Sequence, residues 1–276
     1  GNDNVLVPAQ SIGVAVAGNF DIASIASGNV EASVTFDDGD FQLVVSGSLT
    51  VANTINVSVH AYVGIFDDDP LTTTVDETGV IIDADIDLDL NLLSILDLDV
   101  QGKLQVNTTA VGRSSYRGAT IGADGKLTFA DLNFEDANGN ATTIAADSFF
   151  LDLKGGAKFL GVIDITGQIT IDAQQENWTI TIPQANPLSA KLFGVIDVTT
   201  YGIFKSDGFL DFHLNGNVGL GFAGTGFFGA LSIDAKLDPA PAPGDDVFSF
   251  LVTGSGQAQV GGINLAGATI LLDASG

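Results

Sequence analysis

The chain has 276 residues, of which 45% are hydrophobic, and its 34 Asp and Glu face only 9 Lys and Arg, for a formal net charge of −25. That apolar content excludes a disordered acidic tail, and the shortage of cations excludes nucleic acid and anionic lipid surfaces as partners. With no Cys there is no disulfide framework, and no apolar run reaches the roughly 18–20 residues of a membrane helix, so no membrane insertion is expected. Divalent cations are the natural complement of so many hard carboxylate oxygens, and calcium is the expected one. Met is absent, even at position 1, and no signal peptide is visible. The chain therefore reads as a processed or excerpted piece of a longer product.

Strand alternation begins early. Val34-Thr35-Phe36 runs into the turn Asp37-Asp38-Gly39-Asp40, and Phe41 to Val45 follows. Asp37, Asp38 and Asp40 crowd that turn, and Asp67, Asp68 and Asp69 crowd the next, with Asp76 and Glu77 nearby. Both clusters are candidate calcium sites. The alternative is that acidic residues simply favour solvated turns.

From Asp83 to Leu90 the alternation is strict. Asp83, Asp85, Asp87 and Asp89 share one face of a strand, and Ala84, Ile86, Leu88 and Leu90 take the other. The apolar side is expected to face the core, and the Asp ladder to form a solvated outer face or a cation-bridged contact. Further on, Asp136-x-Asn138-x-Asn140 places alternating oxygen ligands around Gly139, a spacing by which a turn can wrap calcium. It lacks the closing Glu and the helices of an EF-hand.

A repeat follows. Lys158-Phe159-Leu160-Gly161-Val162-Ile163-Asp164-Ile165-Thr166 returns as Lys191-Leu192-Phe193-Gly194-Val195-Ile196-Asp197-Val198-Thr199. Weaker copies lie at Leu92–Val100, Phe227–Asp234 and Ile263–Ile270. Gly inside an apolar run marks a bend, a bulge or a tight corner. Each unit is therefore one long strand kinked at its Gly, or two strands joined by a corner. Asp-Gly and Asn-Gly pairs at residues 38, 124, 138, 207 and 215 supply the positive φ that tight hairpins need. Trp178 to Ile182 alternates, with Trp178 expected in the core. The segment Asp238 to Asp246, with its Pro-Ala alternation, is the one linker and a possible sub-boundary in a single domain of residues 1–276.

The expected fold class is all-β: an antiparallel quasi-repeat of long, Gly-kinked strands forming an elongated sheet, a sandwich or a solenoid-like rod. The units carried by Phe159–Thr166, Phe193–Thr199 and Phe227–Asp234 resemble repeat regions of very large bacterial surface and secreted proteins. That resemblance implies an extracellular fibre, adhesin or coat.

Catalytic signatures are missing. His60 and His213 are the two histidines. Asp211 and His213 share a strand face, but no Ser sits in a nucleophile elbow. No two-His metal spacing, P-loop or dinucleotide fingerprint occurs, so no enzyme is expected. Three functions remain. The first is an extracellular structural or adhesive protein that polymerises through sheet edges, stabilised by calcium, with a surface or glycan ligand. The second is a lipid-handling β-structure, either a barrel or an apolar groove. The third is a carbohydrate-binding module. With 18 Phe but only 1 Trp and 3 Tyr, the chain lacks the Trp/Tyr girdles of a membrane barrel.

Overall fold

The structure is a computed structural model, and it describes residues 12–22, 26–37, 40–51, 54–66, 77–92, 95–121, 127–222, 225–260 and 262–275. Strands β1 (Ile12–Ile22), β2 (Ala26–Asp37), β3 (Asp40–Val51), β4 (Ile55–Phe66), β5 (Gly79–Leu92) and β6 (Leu96–Asn107) come first. The short strands β7 (Ser115–Ile121), β8 (Leu127–Glu135) and β9 (Ala141–Thr142) form a separate three-stranded sheet. Then follow β10 (Ser148–Phe159), β11 (Ile163–Gln174), β12 (Asn177–Ile182), β13 (Leu188–Leu192), β14 (Ile196–Lys205), β15 (Leu210–Phe222), β16 (Thr225–Leu237), β17 (Phe248–Val260) and β18 (Ile263–Ser275). The fold is all-β, and the large sheet takes its strands almost in chain order, from β1 at one edge to β18 at the other. Most strands pair with the next because their own alternation already separates two faces, and a short connection brings the following strand back antiparallel.

Two compact units divide the chain. The first comprises residues 1–90, 100–152 and 173–175, and the second residues 91–99, 153–172 and 176–276. The Pro-Ala segment at 238–246 lies inside the second unit.

In the first unit, register partners place Val34, Leu43, Val63 and Ile82 in one row, and Val30, Gly47, Val59 and Ile86 in another. This face is apolar throughout, yet none of its described side chains is buried. The buried cluster lies on the opposite face. Tyr62, Phe66 and Ile81 of the large sheet meet Tyr116, Phe134 and Ile144, contributed by β7, β8 and the segment after β9. Tyr62, Tyr116 and Phe134 form a triangle of rings with centroids 4.7–5.1 Å apart. Arg117 N donates to Gln42 Oε1 at 2.9 Å, and the Arg113 guanidinium lies 3.8 Å from the Phe66 ring centre, pairing with Glu77 at 2.6 Å. These contacts fix the small sheet over the polar face.

The expected orientation of β5 is therefore reversed. Asp83 is buried, and Ile86 on the other face is exposed. The reason is the small sheet, which covers the face that the Asp ladder shares with Ile81. Asp87 and Asp89, further along the same face, remain exposed.

The repeat glycines are also resolved. Gly161 and Gly194 lie in hairpin corners, not in kinked strands. Leu160 and Gly161 have φ of 50° and 65°, and Phe193 and Gly194 have 53° and 65°. Positive φ at both central residues is the signature of a type I′ turn. Asn138-Gly139 and Asp207-Gly208 sit in turns as expected, with Gly φ of 77° and 92°. Asn215-Gly216 does not: it lies inside β15, where Asn215 opposes Thr199 and Ser232. Gly229 and Gly267 are likewise inside strands. Asp38-Gly39 and Asp124-Gly125 lie outside the described residues.

Candidate functional site

In the second unit the register aligns Phe204, Leu210, Leu237 and Phe248 in one row of the sheet. Val198, Gly216, Leu231, Gly254 and Ile270 form another. On β11 and β13, Ile163 and Ile165 join this face opposite Leu192 and Ala190. Among the described residues of β13 to β18 that share the face, no side chain is charged. Thr200 and Thr225 bring the polar atoms, and the Thr200 hydroxyl donates to the His213 carbonyl at 2.9 Å. The opposite face carries the charge, with Lys191, Asp197, Asp211, His213, Asp234, Lys236 and Asp273.

Among the described residues of the second unit, no layer covers the apolar face. Among the described residues of the second unit Gly202 alone is buried, and no apolar side chain is. Phe227 is 68% exposed, and Leu220, Ile270 and Leu272 are exposed too. Strand spacing near 4.8 Å and a rise near 3.3 Å per residue give this face an area on the order of 1,000 Å². The largest apolar patch of a typical monomer is roughly 300–600 Å². Trp178, expected in the core, is 42% exposed instead.

The face continues onto one set of hairpin corners. Connections β10–β11 and β13–β14 read Leu160-Gly161-Val162 and Phe193-Gly194-Val195. Leu160 is 54% and Phe193 68% exposed. Neighbouring corners are hydrogen-bonded to one another: Leu160 N donates to Ile95 O at 2.7 Å, and Phe193 N to Val162 O at 2.6 Å. Behind them, Asp164 opposes Lys191 and Lys191 opposes Asp197, the latter pair 3.7 Å apart. The repeated Lys and Asp, three residues either side of each Gly, thus form a cross-strand row of alternating charge, which favours this register.

The first unit holds a buried polar network. Lys103 Nζ lies 2.8 Å from Asp83 Oδ1 and 2.8 Å from Asp85 Oδ2. Gln105 Nε2 donates to Asp83 Oδ1 at 3.0 Å and to the Glu135 carbonyl at 2.9 Å. Burial alone would lower the Lys103 pKa, but its hydrogen bonds with Asp83 and Asp85 outweigh that and hold it above the usual lysine value. Burial pushes the Tyr116 hydroxyl up to about 12, helped by the charges of Asp83, Glu135 and Asp85. Neither the Lys103 network nor its tyrosines were recognisable as a unit from local spacing.

The acidic candidates are dispersed. Asp136 Oδ1 accepts from the backbone N–H groups of Asn138 at 2.8 Å and Asn140 at 2.9 Å. Those backbone bonds, that from Asn140 foremost, hold its carboxyl below the usual range. Asp136, Asn138 and Asn140 thus close a turn by themselves, with the carboxylate already engaged. Asp37 and Asp40 are register partners at the end of β2 and β3. Asp38, Asp67, Asp68, Asp69 and Asp76 lie outside the described residues. Among the described residues no three or more His, Asp or Glu side chains converge as a metal site requires.

His213 sits between two carboxylates. Its Nε2 is 2.9 Å from Asp211 and its Nδ1 2.5 Å from Asp234, and its ring stacks on Tyr201 at 4.5 Å. With both nitrogens engaged, the ring links β14, β15 and β16. No family model matches the sequence, and no curated protein matches it.

Proposed function

We propose that this chain handles lipid, taking hydrocarbon chains on the apolar face of its sheet. The observation that carries this reading is the charge-free face of β11–β18, none of whose described apolar side chains is buried. A protein partner of ordinary kind is a poorer fit. Protein interfaces place about one hydrogen bond per 100–200 Å² and a polar rim around their core. The polar side-chain atoms of this face are those of two threonines, and the Thr200 hydroxyl is taken up in donating to the His213 carbonyl. The face supports no directional recognition, and hydrocarbon asks for none. The reading needs lipid contact and not the membrane insertion that the amino-acid sequence offers no reason to expect, and the charge of −25 keeps anionic lipids disfavoured. The test is purification without detergent, followed by solvent extraction and mass spectrometry. Several acyl lipids per chain are expected. A lipid-free chain that fails to brighten an apolar dye would overturn the proposal.

A second reading keeps the structural role outside the cell, through the edge of β18. Every described residue of that strand is exposed, and Asp273 is its sole charge. A strand paired on one side only among the described residues can template a further strand. Electron microscopy of concentrated protein would show filaments under this reading and dispersed particles otherwise.

A further inference from the structure

We infer that the hairpin corners of the second unit, at Ile95, Leu160, Val162, Phe193 and Val195, form an edge that docks into the surface of a zwitterionic lipid bilayer. The inference rests on the lipid reading of the adjoining sheet face and assigns the place where that face meets the membrane.

Three observations carry it. First, the corners expose large apolar side chains where a water-facing type I′ turn would carry Asn or Asp. Leu160 and Phe193 also occupy left-handed backbone, which disfavours such residues, so nothing local to the turn explains their presence. Second, several backbone groups of the corners are paired within the protein. Val162 N donates to Phe159 O and Val195 N to Leu192 O, each at 3.0 Å, and the lateral bonds to Ile95 O and Val162 O pair the outward amides. Backbone groups entering hydrocarbon must be paired within the protein, and turn amides facing water have no such need.

Third, the two sets of connections in this unit differ in charge. Those that carry Leu160 and Phe193 read Leu160-Gly161-Val162 and Phe193-Gly194-Val195 and contain no charged residue. The connections at the other strand ends contain Asp207, Asp238, Asp245 and Asp246. The nearest charges behind the corners are Asp97, Lys158, Asp164, Lys191 and Asp197, and Lys side chains tolerate that depth by reaching back to water. With few cations to attract anionic headgroups, the edge suits phosphatidylcholine-like surfaces.

The test is flotation of the full chain with phosphatidylcholine vesicles, repeated in 1 M salt and with phosphatidylserine added. Binding that survives salt and weakens with phosphatidylserine is expected. The variants Leu160→Asn and Phe193→Asn keep the type I′ geometry, so the fold is preserved. Each should weaken binding by roughly tenfold, the value of one buried apolar side chain, while the extractable lipid per chain stays unchanged. A wild-type chain that stays unbound, or a double variant that floats as well as the wild type, overturns the docking edge. Loss of flotation with retained lipid supports it. The lipid content itself judges the sheet face separately.

Discussion

Lys103 Nζ and Asp83 Oδ1 lie 2.8 Å apart with both side chains only 3% exposed, an ion pair sealed beneath the small sheet of the first unit. Removing one partner leaves a buried charge uncompensated. Lys103→Met should therefore cost about 3–5 kcal/mol, and adding Asp83→Leu should restore most of it. Urea unfolding of the three proteins measures this. If the single variant is as stable as the wild type, the pair is not buried as described. The pH dependence follows from the raised Lys103 pKa. The folded value lies above the unfolded one, so the contribution is complete below about pH 10.5. It is lost as pH rises through the folded value. Wild-type stability should fall more steeply above that pH than the stability of the double variant.

The tyrosines report on the same cluster. Tyr116 is held up to about 12 by burial, and Tyr62 is pushed up by burial as well. Both folded values exceed the unfolded one, so their contribution is present below about pH 10 and fades above it. Absorbance near 295 nm should show tyrosinate still forming near pH 12. Complete ionisation of all three tyrosines near pH 10 in folded protein would contradict the packing of Tyr62, Tyr116 and Phe134.

Two glycines of the second unit provide a matched comparison. A Cβ on Gly202 would fall 2.4 Å from the Asp211 carbonyl oxygen, inside the β14–β15 ladder. A Cβ on Gly216, on the same face, meets nothing closer than 4.0 Å. Gly202→Ala should destabilise by about 1–3 kcal/mol through overpacking, whereas Gly216→Ala should be neutral or slightly stabilising. Equal melting shifts for the two would show that the strands do not approach as described.

The strands themselves were legible because alternation is local: Phe212, Leu214 and Val218 announce a face whatever lies around them. Which face is covered was not legible. Alternation at Ala84–Leu90 separates apolar from acidic, but the partner that buries Asp83 is Lys103, on the next strand, and the cover comes from β7–β9, further along still. The hairpin corners were half-legible. Gly161 and Gly194 signalled a corner, yet Leu160 and Phe193 stood where Asn or Asp normally marks a turn, so a kinked strand read equally well. Asn215-Gly216 carried the opposite deception. Its dipeptide reads as a turn, but the alternation from Leu210 to Leu220 runs through it and wins, because each interrupted pair would forfeit ladder bonds on both sides.

Phe193 joins the energetics to the proposed role. Its φ of 53° places an aromatic residue in the left-handed region, and its side chain is 68% exposed. The first costs about 1 kcal/mol relative to residues that tolerate this backbone, and the second means that little burial offsets it. Phe193→Asn should consequently raise the unfolding free energy of the lipid-free chain by about 0.5–1 kcal/mol, since Asn-Gly is the preferred pair for this turn. Chemical denaturation of extracted protein measures it, with Phe193→Asp as a check that charge alone is not responsible. A stabler chain that binds vesicles less well is the outcome expected of a residue kept for contact with hydrocarbon. A variant that is less stable than the wild type would mean that Phe193 packs on its neighbours and supports the fold, and the corner would then have no claim to a membrane.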